Sequence, residues 1–72
     1  MTDNIRQIIA KNLKRLRKER GHTQDELAHL AGLDKNHPGN IEREECNTSV
    51  ETIEKLAKAL GVDPDALLKP LE

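Results

Sequence analysis

Three stretches of this chain set apolar residues at steps of mostly three or four, and each stretch ends at a glycine. Ile5, Ile9, Leu13 and Leu16 lead to Gly21. Leu27, Leu30 and Ala31 lead to Gly32, and Val50, Ile53, Leu56, Ala57 and Leu60 lead to Gly61. That period lays one apolar stripe along a 3.6-residue helix, and glycine supplies the left-handed stop. The chain has no Phe, Trp or Tyr and only two valines, Val50 and Val62, a mixture that favours helix and starves sheet. The expectation is an all-α fold, a bundle of five helices.

The boundaries follow from capping chemistry. The first helix is expected from about Asp3 to Arg20, with Asp3 or Asn4 as its cap and Lys and Arg in its last turn to suit the dipole. Thr23-Gln24-Asp25-Glu26 reads as a capping box opening the second, in which Leu27, Leu30 and Ala31 face inward with Ala28 beside them. In the third, Leu33 is a buried turn residue and Asp34 an N-cap candidate, but His37-Pro38-Gly39-Asn40 has the local signature of a turn. The fourth starts at Thr48 or Ser49, and Thr48-Ser49-Val50-Glu51 is a second box candidate. The fifth takes Asp63 as cap and Pro64 as its first residue, with Leu67, Leu68 and Leu71 as its apolar side chains.

Several function classes fall away. Seventy-two residues make one domain, 1–72. A domain of this size buries only roughly 60% of its unfolded surface, so pairing would help it. Without aromatic rings it cannot stack bases as single-strand and RNA readers do. No apolar run is long enough for a membrane span, and residues 1–20 lack the apolar core of a signal peptide. Cys46 is the only cysteine and cannot form an internal bridge, so a cytoplasmic setting is expected. His22, His29, His37 and Cys46 lack metal-ligand spacing. No phosphate loop or catalytic order is present. No enzyme activity, metal, cofactor or small-molecule ligand is expected.

The net charge of −1 argues against nucleic acid only as an average. Residues 1–20 carry Arg6, Lys11, Lys14, Arg15, Arg17, Lys18 and Arg20 against Asp3 and Glu19, a balance of +5. Residues 21–46 balance to −4 and residues 47–72 to −2. A basic segment beside acidic ones suits a phosphate-facing edge, or else a solvated face balanced by neighbouring acids.

The second and third pieces carry the functional signal. A short helix, a tight turn at Gly32 and another short helix form a helix-turn-helix, with Ala28 and Gly32 keeping the corner small. Leu33 and Ile41 would pin the second of these helices to the core, leaving it placed for a DNA major groove.

On these residues the chain resembles the phage-repressor/Cro helix-turn-helix family, also called XRE. The likeness lies in Lys14-Arg15-Leu16-Arg17, Thr23-Gln24-Asp25-Glu26-Leu27-Ala28, Ala31-Gly32-Leu33, Ile41-Glu42-Arg43, Asn47, Ser49 and Glu54 through Val62. It covers roughly residues 6–68. The resemblance implies a lambda-repressor-like domain that binds double-stranded DNA and regulates transcription. Gln24 would bind phosphate and brace a base-reading side chain, or be merely an exposed polar residue. Lys35, Asn36 and Asn40 occupy base-facing positions, where Lys suits guanine and Asn suits adenine, or they simply solvate a turn. Arg43 and Asn47 would contact phosphate, unless Arg43 pairs with a nearby Glu. Arg17 and Glu42 would form a partly buried ion pair holding the first helix to the third.

The chain departs from the family in three places. Pro38 stands where an apolar residue normally packs inward. It lacks the amide that would bond Asp34, so the third helix either starts at Asp34 with a weak turn or starts late at Pro38, and the late start is preferred. Gly39 adds roughly 1 kcal/mol of helix penalty. Glu44 and Glu45 replace the usual Gly and basic residue, and acids there oppose phosphate binding. His22 replaces an apolar residue and is expected half-buried. The leading expectation is a repressor that binds a palindromic operator as a homodimer through its C-terminal helix. The alternative is a protein-interaction module on the same fold, an antitoxin-like partner binder with weak or lost DNA binding.

Overall fold

The computed structural model describes residues 4–46 and 48–70, and the described residues are all-helical, with no strand. Asn4 caps α1 (Ile5–Glu19) through a reciprocal box: its Oδ1 accepts from the Gln7 amide at 3.0 Å while the Gln7 side chain accepts from the Asn4 amide. Asp3, the other cap candidate, lies outside the described residues. α2 (Gln24–Ala31) opens with the Thr23–Glu26 box, and α4 (Val50–Leu60) opens at Ser49, whose hydroxyl accepts from the Thr52 amide. The alternative Thr48–Glu51 box does not form. α3 (His37–Glu42) and α5 (Asp65–Leu68) are short. α5 begins one residue later than Asp63 and Pro64 suggest: Pro64 already has helical angles but precedes the first full turn, and Ala66 and Leu67 bond back three residues to Asp63 and Pro64.

α1 packs on α3 and α5, and α2 packs on α3 and α4, so the core lies where these meet. Leu13, Leu27, Leu56 and Leu67 are completely buried, joined by Ile9, Leu16, Ile41, Ile53 and Leu60. Each such side chain contributes roughly 1.5–3 kcal/mol through burial. Three stripe residues fall outside this core: Ile5, Leu30 and Val50 are exposed. Ile5 and Val50 are the first residues of their helices. Leu30 lies at the outer margin of an eight-residue helix whose inward positions are taken by Leu27, Ala28 and Ala31. Leu67 is core and Leu68 is partly exposed, while Leu71 lies outside the described residues.

One buried polar residue had no place in the apolar pattern. Asn12 is fully buried on the inner face of α1, and its Nδ2 donates to the carbonyls of Leu67 at 2.9 Å and Lys69 at 2.6 Å. It ties the end of α5 to the middle of α1.

Candidate functional site

The site is built on the corner between α2 and α3. Gly32 takes a left-handed φ of 69°, which lets the Leu33 amide turn back to the Ala28 carbonyl at 2.8 Å and ends α2 in one residue. Ala28 is buried at the corner, and Leu33 packs partly buried against the core. The chain then makes a turn rather than a helix. The Asp34 carboxylate accepts from the Asn36 amide and the Asp34 carbonyl from the His37 amide, so Asp34 organises the turn and does not cap α3.

α3 begins late, at His37, one residue before the preferred Pro38. Pro38 sits in the first turn, where its missing amide has no helical partner to lose. It is buried, so it supplies the inward packing of the apolar residue it replaces. The consequence is that Lys35 and Asn36 stand on the turn in front of α3, both exposed, with Asn40 half-buried one turn into the helix.

Behind this edge lies a polar brace. Arg17 Nε donates to Glu42 Oε2 at 2.7 Å and Nη2 to Oε1 at 3.1 Å, while Nη1 donates to the His22 carbonyl at 2.8 Å. The hydrogen bond to Glu42 holds the Arg17 guanidinium above its ordinary pKa against the opposing cost of burial. Gln24 joins the same carboxylate: its Nε2 donates to Glu42 Oε1 at 3.2 Å. Gln24 is therefore a braced, half-buried side chain at the start of α2 and not a loose surface amide.

Arg43 is engaged with its neighbours. It donates to Asn40 Oδ1 at 2.7 Å and to Glu45 Oε1 at 2.9 Å, in a pair more than half exposed. Glu44, the next residue, takes a left-handed φ of 61°. Its amide bonds to Ile41 and that of Glu45 to Asn40, the reciprocal pair that ends α3 in a left-handed residue. The family's usual glycine at this position thus has a backbone reason, and here a glutamate bears the strain. Asn47 lies outside the described residues.

Gln24, Asn40 and Arg43 are therefore grouped around Gly39 and Glu42, with Arg17 on the far side of that carboxylate, while Lys35 and Asn36 stand exposed on the turn before α3. Two residues carry more in the structure than their sequence signals imply. Gly39 lies beneath the Gln24 and Arg43 side chains, where the sequence offers only a turn signature and a helix penalty. Glu44, an acid standing where the family usually has glycine, carries the left-handed turn. His22 is half-buried, with its carbonyl held by Arg17. Among the described residues no three His, Cys, Asp or Glu side chains are grouped to hold a metal ion, and no helix is long and apolar enough to cross a membrane.

A helix-turn-helix family profile matches residues 13–67. A hypothetical transcription factor of Neisseria meningitidis is 39% identical over 67 residues, covering 93% of this chain, and the chain spans 63% of that relative's length. The control protein C.BamHI of Bacillus amyloliquefaciens is 38% identical over 69 residues, with 94% of this chain and 85% of the relative covered. The master regulator for biofilm formation SinR, solved in complex with DNA, superposes with a TM-score of 0.80 at 37% identity, over 85% of this chain and 98% of that one.

Proposed function

Since this chain belongs to the helix-turn-helix family of DNA-binding transcriptional regulators, we propose that it reads double-stranded DNA with the edge formed by Gln24, Lys35, Asn36, Asn40 and Arg43. The family is one of transcription regulators and not of enzymes. The observation that carries the reading is the brace: Arg17, Glu42 and Gln24 lock the start of α2 to the end of α3. A fixed angle between those helices is what groove docking requires.

Lys35 and Asn36 reach base edges from the turn, Lys35 toward guanine and Asn36 toward adenine. Asn40 reads or positions from within α3. Gln24, with the amides at the start of α2, takes a phosphate. Arg43 takes a second once DNA draws it from Glu45, and Asn47 a third. Arg17 and Glu42 touch no DNA and hold the frame. The chain acts as one domain, in the cytoplasm, as a repressor. It pairs with a second copy through its C-terminal helix, where Leu68 remains 39% exposed, and the pair covers two half-sites about one helical turn apart.

The test is a titration with a pool of randomised duplexes at low and moderate salt. The expected result is affinity that falls steeply with salt and a preferred sequence that survives competition. Absence of binding at low salt overturns the reading in favour of a protein-binding module on the same fold. In the titration, Gln24→Ala should weaken binding with a small drop in the thermal transition from its lost bond to Glu42, and Lys35→Ala should weaken binding with the transition unchanged.

A further inference from the structure

Gly39 is the one glycine of the four without a positive φ, so the backbone does not ask for it. It sits inside the six-residue α3, where glycine is normally worse than alanine by about 1 kcal/mol. Space is what requires it. A Cβ at this position would stand 2.9 Å from Gln24 Oε1, 3.3 Å from Gln24 Cδ and 3.1 Å from Arg43 Nη1.

We propose that Gly39 is a positioning residue for DNA binding: its missing side chain is the seat on which the Gln24 carboxamide lies between α2 and α3. The proposal rests on the DNA reading above. Gln24 donates to Glu42, and Glu42 cannot shift to follow it, because Arg17 grips both of its oxygens. A methyl group at position 39 therefore lifts the tip of Gln24 off the helix and breaks its bond to Glu42. The colliding atoms are the ends of two flexible side chains, so the fold survives and only the contact edge changes.

Wild type, Gly39→Ala, Gln24→Ala and the double variant are compared by urea unfolding and by binding to a duplex that the wild type selects from a randomised pool. Gly39→Ala is expected to weaken binding about tenfold, with the Gln24 side-chain amide resonances shifted in the NMR spectrum. In the Gln24→Ala background only the flexible end of Arg43 stands near the added methyl, so the same substitution should affect binding much less than in the wild type and should raise stability, as alanine does over glycine in a helix. Unchanged binding by Gly39→Ala, or equal effects in both backgrounds, overturns the proposal. If the wild type selects no duplex the DNA reading fails, while the unfolding cycle and the amide resonances still decide whether Gly39 seats Gln24.

Discussion

Arg17 and Glu42 lie 25 residues apart in sequence and meet through two parallel hydrogen bonds of 2.7 and 3.1 Å. Their side chains are only 11% and 4% exposed. The pair bolts α1 to the end of α3, and through Gln24 it reaches the start of α2. Removing one partner leaves a buried charge alone. Glu42→Ala and Arg17→Ala should each cost roughly 3–5 kcal/mol, while Arg17→Met with Glu42→Leu should cost much less than the two singles combined. Urea denaturation of the three variants measures this; additive losses would show that the pair is not coupled.

Glu44 holds the left-handed turn that closes α3. The equivalent turns after α1, α2 and α4 are made by Gly21, Gly32 and Gly61. A side chain there strains against its own carbonyl by roughly 1–2 kcal/mol. Glu44→Gly should therefore stabilise the protein by about 1 kcal/mol, a rise of roughly 4–8 °C in Tm by calorimetry. A lower Tm would mean that the glutamate makes a compensating contact.

Asn12 is the polar fastener of the C-terminal segment. Without its amide, the Leu67 and Lys69 carbonyls lose their donor and a small void opens in α1. Asn12→Ala should cost roughly 2–3 kcal/mol. Hydrogen exchange should show the loss concentrated in residues 65–69, and uniform loosening would contradict a local fastening role.

Acid should weaken the start of α2. The amide and hydroxyl of Thr23 hold the Glu26 carboxyl below its ordinary pKa. A lowered folded-state value means that this contribution is complete above the unfolded pKa and is lost as pH falls through the folded one. Glu26→Gln should flatten that part of the stability profile between neutral pH and the acid side of the carboxylate range. A profile identical to the wild type's would remove Glu26 from the acid response.

On the proposed DNA reading, Glu45 competes with DNA for Arg43, which it holds in an exposed ion pair. Glu45→Gln releases the guanidinium and removes an acid from the contact edge. Affinity for the selected duplex should rise several-fold at low salt, with a steeper salt dependence. Unchanged affinity would place Arg43 outside the phosphate-binding set.

The sequence alone determined how many helices form and most of their glycine stops, but not where α3 and α5 begin. Capping and glycine turns act within about four residues, so the Thr23 start and the Gly32 and Gly61 stops are readable locally, while the choice of Asn4 over Asp3 and of Ser49 over Thr48 is not. Three-to-four spacing likewise marked Ile9, Leu13, Leu27 and Leu56, which are core, but also Ile5, Leu30 and Val50, which are exposed. The pairing of Arg17 with Glu42 and the grouping of Gln24 with Asn40 and Arg43 were legible only through resemblance, because spacing does not say which distant side chains meet.

Tertiary structure decided the rest. Pro38 looked like a defect until α3 turned its ring into the core. Gly39 looked like a weak point until Gln24 and Arg43 proved to lie across it. Asn12 lies on the same inner stripe as Ile9, Leu13 and Leu16, but its purpose depends on a segment more than fifty residues further on. Local spacing sets which way a side chain points. What it meets there depends on how separate helices cross, and that crossing is a property of the packed chain alone.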